Sequence, residues 1–254
     1  MDPRTILFYE ELQSNAFPAL QTVMYDGWSV RFGGGFTYRV NDANPMYPEH
    51  LPVEEKIGYV EALYRASSLD KSIFKLHEGM DPERLAACDR LLEANGYVKE
   101  RHGNIFVCDL TSFSRPSSED VTLESHLTED WLDRFLTMNG TEGATKDAAK
   151  SMLRSIVFPL TAASIWEDGR MIACGLGVME RGRIGLYDIF VDASCRRRGL
   201  GVNICAAIMN EGKAAGCTEA YLQCLTNNHG ARRLYALLGY KETYAYWFRI
   251  KRFT

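Results

Sequence analysis

The stretch Val191-Asp-Ala-Ser-Cys-Arg-Arg-Arg-Gly-Leu-Gly-Val202 decides how the second half of this 254-residue chain is read. Before it, residues 184–191 form an apolar run with the length of a buried strand. After it, residues 202–214 have the spacing of an amphipathic helix. Between them stand Arg196, Arg197 and Arg198, then Gly199, Leu200 and Gly201. A strand, a cationic glycine-rich turn and a helix start in series form an anion site. The first amides of a helix have no partner inside it, and the helix dipole favours negative charge there. Glycine lets the backbone approach a phosphate closely, and arginine adds a forked, permanently charged donor. The stretch predicts a phosphorylated ligand. A solvated arginine run is the plainer alternative, but glycines and a helix come directly after it.

Working outward, helices are expected at about 128–138 and 146–157, and strands at 161–166, 171–179 and 184–191. Glu167-Asp168-Gly169 and Arg181-Gly182 supply the hairpin turns. The phosphate-turn helix ends near Ala214. A strand at 219–225, a helix at 230–238 and a last strand at 241–250 come next. Two helices, an antiparallel run, a crossover helix, a parallel strand, another helix and a final strand make an α/β unit.

In the first half, a helix is expected at 5–17. Strands at 28–32 and 36–40 read as a hairpin across Gly33-Gly34-Gly35, with no helix behind it to make a phosphate loop. Prolines 45, 48 and 52 punctuate a loop, and residues 53–67 have helical spacing. Asp81-Pro82 opens a helix that Gly96 stops after Ala94. Residues 111–120 are rich in Ser, Pro and charge and read as a linker. The domain boundaries are therefore 1–110, 111–120 and 121–254. Leu91 to Tyr97 and Leu234 to Tyr240 share a helix, glycine, tyrosine, strand pattern. Duplication and chance both produce such a junction.

Composition narrows the function. A net charge of −4 gives no footing for general nucleic-acid binding, which makes the arginines a local feature. No apolar run approaches the roughly 18 residues needed to cross a bilayer, and the N-terminus lacks a signal-peptide pattern. The seven cysteines are scattered without CxxC spacing, and the five histidines show no ligand spacing. The expectation is a reduced, cytoplasmic protein with no metal, no membrane contact and no nucleic-acid partner.

Two blocks resemble the GCN5-related N-acetyltransferase family. The first is the strand end with Arg196, Gly199 and Gly201 after it, at the positions of that family's Arg/Gln-x-x-Gly-x-Gly/Ala signature. The second is Asn228, Ala231, Leu234-Tyr235 and Leu238-Gly239-Tyr240. The similarity covers about residues 121–254. It implies a mixed, mostly antiparallel sheet flanked by helices, an α/β (α+β) fold. More loosely, Asp26-Gly27-Trp28, Arg31-Phe32 and Arg39-Val40-Asn41 resemble the degenerate N-terminal half of two-part acetyltransferases. That half would wall one side of an acceptor cleft.

The resemblance implies acetyl-CoA as cosubstrate, an amine acceptor, and a monomer or homodimer. Backbone amides of Arg197, Arg198, Gly199, Leu200, Gly201 and Val202 would hold the pyrophosphate, beside Arg196. The edge of Ile189, Phe190 and Val191 would pair with the pantetheine arm as an added strand. Tyr235 stands at the general-acid position, with a core tyrosine as the alternative. Asn228 would bond the pantetheine or cap its helix. Family glutamates are replaced by Gly185 and Gln223. Asp188 is the remaining local carboxylate, a base or a buried structural acid, and alternation puts it opposite Tyr187. Deprotonation through ordered water needs neither. Tryptophans 28, 131, 166 and 247 could line a pocket or fill cores. Cys195 is read as incidental. Direct acetyl transfer to a small primary amine is the reading reached. A non-catalytic acyl-CoA-binding regulatory module and a protein lysine or N-terminal acetyltransferase are the alternatives.

Overall fold

The computed structural model describes residues 1–118 and 120–253. Glu119, at the end of the expected linker, and Thr254 lie outside them. The chain forms two compact units that are interleaved in sequence. The first comprises Met1–Asn104, Asp147–Ser155 and Tyr244–Thr254, and the second Ile105–Lys146 and Ile156–Thr243.

In the first unit, helix α1 (Pro3–Ala16) begins where the Asp2 carboxylate accepts the amides of Arg4 and Thr5. Strands β1 (Gln21–Tyr25) and β2 (Trp28–Phe32) pair antiparallel around Asp26-Gly27. Both turn residues have positive φ, 39° and 80°, as a tight right-twisted hairpin requires. The expected hairpin across the glycine triplet is corrected here. Residues 36–40 form no strand, and Tyr38–Val40 is a 3-10 turn. The Asn41 amide explains the change. Its Oδ1 accepts the amides of Gly33 and Gly35, so the loop folds onto a side chain instead of a partner strand.

Four further elements complete the unit. Strand β3 (Ala43–Pro45) lies in the proline loop, and β4 (Lys71–His77) was not anticipated from the sequence. Helices α2 (Val53–Ala66) and α3 (Pro82–Ala94) fall where expected, and Asp81 caps the second. The strand order is β1-β2-β3-β4, with β4 antiparallel to the last strand of the chain, β11 (Lys241–Arg252). One face packs Trp28, Phe74, Leu76, Tyr64 and Tyr97 under α2 and α3.

The opposite face of β4 is charged. Period-two alternation turns Lys75 and His77 away from Phe74 and Leu76. Lys75 pairs with the fully buried Glu10 of α1, which also accepts bonds from Tyr244 and Asn44. Burial pushes the Glu10 carboxyl up, but Lys75 and His77 outweigh it and hold it at about 2. Arg31, also buried, spends its guanidinium on the carbonyls of Arg39, Ser14 and Phe17.

The second unit carries β5 (Val98–Asp109) from Ile105 onward, then β6 (Thr122–Glu124), α4 (Glu129–Met138) and the first turn of α5 (Gly143–Arg154). Strands β7 (Leu160–Glu167), β8 (Arg170–Glu180) and β9 (Arg183–Val191) form an antiparallel meander. Helix α6 (Leu200–Ala214) crosses back to β10 (Glu219–Leu225), which runs parallel to β9. Helix α7 (His229–Leu237) leads to β11. In the order β5-β10-β9-β8-β7-β6, β10 and β9 are parallel while β9–β8, β8–β7 and β7–β6 are antiparallel, the mixed, mostly antiparallel sheet that the sequence predicts.

The repeated junctions have matching geometry. Gly96 and Gly239 take φ of 83° and 87°, and the amides of Tyr97 and Tyr240 reach back to Leu92 and Tyr235. Both are left-handed glycine caps that end a helix and launch a strand. All seven cysteines are free and buried. Among the described residues, no helix is long and apolar enough to cross a membrane.

Asp42 generates a prediction. Burial pushes its carboxyl up to about 7, against the opposing pull of Arg31 and Lys75. Between the ordinary aspartate value and about 7, the folded chain keeps a proton that the unfolded chain has lost, so stability falls as pH rises through that window. Asp42→Asn removes the titration. Urea unfolding is expected to show the variant gaining about 2–4 kcal/mol on the wild type between about pH 5 and about pH 8. A constant difference across that range contradicts the assignment.

Candidate functional site

The site is built on how closely α6 lies against β8. A side-chain carbon at Gly175 would stand 2.6 Å from Ile189 and 2.7 Å from Ile204, and one at Gly177 would stand 2.5 Å from Ile208. The helix occupies the space those side chains would need, and buries Ile204, Cys205 and Ile208 on the sheet. This seat holds the N-terminus of α6 at the C-terminal end of β9.

Strand β9 changes character just there. It pairs in parallel with β10 from Arg183–Glu219 to Leu186–Leu222. Immediately afterwards Asp188 takes φ of +53°, and the register with β8 slips by one residue between Cys174 and Leu176. This is a β-bulge, which twists the strand and re-aims the residues beyond it. Past the bulge, Phe190 and Val191 still pair with Cys174 and Ala173 of β8. Ile189, Phe190 and Val191 are half-exposed apolar residues on a strand that has left its parallel neighbour. The alternation argument for Asp188 is corrected at the same point, since a bulged residue at positive φ does not keep the period of two.

The turn itself is braced. Asp192 accepts bonds from the amide and hydroxyl of Ser194, which hold its carboxyl below the usual aspartate range. Its own amide bonds the Ile172 carbonyl at 2.9 Å, and Arg170 stands 3.6 Å from its carboxylate. Gly199 then takes φ of +82°, a left-handed conformation that costs a side chain roughly 1–2 kcal/mol. A side-chain carbon there meets nothing within 4 Å, so the space beside Gly199, at the start of the helix, is open. Asn203 is the residue that bonds back to the Gly199 carbonyl, so the amides of Leu200, Gly201 and Val202 precede the helical ladder. A diphosphate fits such a cradle.

The three arginines differ. The Arg196 Nε donates to the Val191 carbonyl at 3.3 Å, closing the turn. Arg197 is exposed, with φ of +64°. Arg198 makes a two-pronged ion pair with Glu167, which draws that carboxyl's pKa down. From the sequence, Glu167 was legible only as part of a turn. Because β8 is antiparallel to β9, the β7–β8 turn lies at the end of the sheet where β9 stops, and this brings Glu167 to Arg198. Ser194 and Arg170, joined at 3.4 Å, were missed as well.

On α7, the Asn228 side chain accepts the Ala231 amide at 3.2 Å, so it caps the helix. Tyr235 is buried with its ring 6.4 Å from Phe106 and 5.8 Å from Tyr240, within the unit's core cluster. Leu234 closes on the α6 start, 2.8 Å from where a side chain at Gly201 would begin.

Residues 5–248 match the family described as "Probable histone acetyltransferase Rv0428c C-terminal". The chain belongs to this family, within the GCN5-related N-acetyltransferase superfamily. A GCN5-related N-acetyltransferase from Kribbella flavida superposes with a TM-score of 0.70 at 17% identity, over 99% of this chain and 95% of its own. A tandem GNAT protein from the clavulanic acid biosynthesis pathway gives 0.63 at 12% identity, over 96% and 87%. A curated relative, "Probable glucosamine 6-phosphate N-acetyltransferase 2" of Oryza sativa subsp. japonica, is 33% identical over 82 residues. That match takes in 30% of this chain and 48% of the rice protein, so the chain spans about half the length of that relative.

Of the two positions where the resemblance led us to expect glutamate, 185 and 223, the first has a structural account. Gly185 lies under a buried pair of tyrosines, Tyr187 and Tyr221, whose hydroxyls meet at 2.9 Å. A side-chain carbon at 185 would stand 2.6 Å from both rings. No carboxylate can stand there without displacing them. Gln223 comes on β10 past the last parallel pair. Asp188 is part-exposed as a residue but has one carboxylate oxygen, Oδ2, buried, and it lies beside Cys174, whose thiol is pushed up by burial first and by Asp188 second. Trp28 and Trp131 fill cores, and Trp247 is buried against Asp89. Trp166 stacks under Arg134.

The tyrosine pair sets a measurable limit. Gly185→Ala forces the two rings apart and is expected to destabilise the protein by about 1–3 kcal/mol. Denaturant unfolding of the variant checks this, and an unchanged midpoint contradicts the packing described.

Proposed function

We propose that this protein is an acetyl-CoA-dependent N-acetyltransferase that moves the acetyl group directly to the primary amine of a small molecule. One observation carries the reading: open amides at the start of α6 stand at the end of a bulged strand that has just parted from its parallel neighbour. Family membership supports the same donor. In this reading the amides of residues 197–202 hold the pyrophosphate, with Arg196, Arg197 and Arg198 supplying charge. Arg198 exchanges part of its Glu167 pairing for phosphate. The edge of Ile189, Phe190 and Val191 pairs with the amide-bearing pantetheine arm.

The thioester supplies an activated acetyl carbonyl. The chain's part is to orient it, stabilise the oxyanion and manage two protons. A main-chain amide just past the bulge donates to the carbonyl oxygen as negative charge develops. The amine nitrogen bonds to the carbonyl carbon, the carbon–sulfur bond breaks, and the Tyr235 hydroxyl gives its proton to the departing sulfur. The proton lost by the nitrogen goes to the Asp188 carboxylate or to water. Asn228, whose Oδ1 caps α7, keeps its amide group for the pantetheine. Residues 121–254 form the catalytic part in this proposal, 111–120 join the parts, and 1–110 are a degenerate half.

A second reading rests on the family's description, which points to a protein amine as acceptor. The rice relative's name points instead to an amino sugar phosphate. Labelled acetyl-CoA incubated with whole lysate separates them, since the label ends in protein or in small molecules.

The test of the main proposal is thiol release from acetyl-CoA across a panel of amines, with calorimetry of acetyl-CoA binding. Tyr235→Phe is expected to lower kcat about 100-fold or more while acetyl-CoA still binds. Gly199→Val is expected to weaken acetyl-CoA binding at least about tenfold, by straining the turn and covering the amides. Tight binding without turnover on any amine or protein would make the chain a regulatory binding module. No binding heat at all sinks the reading.

A further inference from the structure

Each unit has an end strand, and the two meet solvent differently. β6, at the end of the second unit, has three residues and closes on Glu124. β1, at the end of the first, has five, Gln21-Thr-Val-Met-Tyr25, with no charge and no proline. Its pairing with β2 runs unbroken from Gln21–Phe32 to Tyr25–Trp28, without a bulge. Short length, charge, proline and bulges are the means by which sheet edges avoid adding a further strand. β6 uses two of them and β1 uses none.

The direction of the β1 backbone groups follows from its neighbours. The Arg31 amide bonds the Asp42 carbonyl at 2.9 Å, away from β1. Arg31 and Thr22 are therefore a non-hydrogen-bonded pair of the β1–β2 ladder, and by alternation so are Ser29 and Met24. The amides and carbonyls of Thr22 and Met24 point outward, and none has a hydrogen-bond partner among the described residues. Met24 is 57% exposed, and Gln21 and Thr22 are exposed as well. The strand is nonetheless held in place. Val23 packs against the core of the unit, and the Tyr25 ring stacks on Tyr59 of α2 at 4.1 Å. Asp26, the next residue, has its carboxylate taken up by the Lys56 ammonium and the amides of His50 and Leu51.

Four outward groups at this spacing are complementary to themselves. A strand turned end for end about Val23 sets Thr22 opposite Met24 twice, and each such pair exchanges two main-chain bonds. Gln21 then faces Tyr25, and no like charges meet along the strand. The same patch serves both partners, as a two-fold contact requires.

We propose that β1 is an interaction surface for a second copy of this chain, added antiparallel, strand to strand, with Val23 on the two-fold axis. The contact is independent of acetyl transfer, and its test does not read that activity.

A contact of this size belongs with weak, concentration-dependent ones, so sedimentation equilibrium of the full chain is carried up to about 200 µM. The mass is expected to rise toward twice that of one chain. Met24→Lys, an exposed substitution that puts like charges on one face of the joined sheet, is expected to raise the dimer Kd at least about tenfold with the thermal midpoint unchanged. Thr22→Lys, equally exposed, is expected to do the same and decides if the first variant does not fold. Cross-linking reads the register. Opposed residues of a non-hydrogen-bonded pair have Cα atoms about 4.5 Å apart, within the span of a disulfide. Val23→Cys is therefore expected to give a covalent dimer under mild oxidation, and Thr22→Cys is not, the seven native cysteines being buried. The proposal is overturned if the wild type stays monomeric across the range, as it would if this edge took a strand from some other protein. It is equally overturned if a dimer persists unchanged in both lysine variants, or if Val23→Cys cross-links no better than Thr22→Cys.

Discussion

Helix α6 reaches its place because β8 has no side chains at 175 and 177. Ile189, Ile204 and Ile208 occupy that space, and the helix axis comes down onto the strand. Ile204 and Ile208, both fully buried, contribute about 1.5–3 kcal/mol each. The more important consequence is positional. A helix held this tightly cannot slide, so its first amides stay at the end of β9, where the bulge at Asp188 has turned the strand. Restoring side chains at either glycine would lift the helix and move the anion cradle with it. Every role proposed for residues 196–202 depends on this contact.

The two units solve the burial of polar groups differently. In the first, charges are paired inside: Glu10 with Lys75, Lys56 with Asp26 and Glu49, and Arg249 with Asp89. Such pairs do little for net stability because desolvation offsets their attraction, but losing one partner strands the other. In the second, the charged residues of the turn lie at the surface, where Glu167, Arg170 and Asp192 hold it in shape. That difference suits a closed scaffold in one unit and, in the other, the exposed anion site proposed above.

A carboxylate at 185, where the resemblance led us to expect one, is excluded by packing. Tyr187 and Tyr221 close over it with their hydroxyls joined, just before β9 and β10 part. In the proposed reaction, proton removal from the acceptor falls to Asp188 or solvent. The bulge gives Asp188 an orientation that a regular strand would not. Asn228 is accounted for as a cap, and Tyr235 as both a core residue and the acid of the proposed reaction.

Most elements of the second unit were legible in the chain because their signals are local. Alternating apolar runs, glycine stops and the arginine-glycine turn each specify a conformation over a few residues, and the helices capped by Asp81 and Asn228 begin where those side chains can accept amides. The sequence by itself thus determined the strand-turn-helix arrangement around Gly199, most of the element order of the second unit and the family. Where a long-range contact decides the outcome, the reading failed or stopped. The glycine triplet folds onto Asn41 instead of a partner strand, β4 mixes buried lysine with apolar residues, and Glu167 meets Arg198 only through strand register. The bulge at Asp188 and the tyrosine pair over Gly185 were likewise decided by tertiary structure, because each depends on which residues from distant parts of the chain are pressed together.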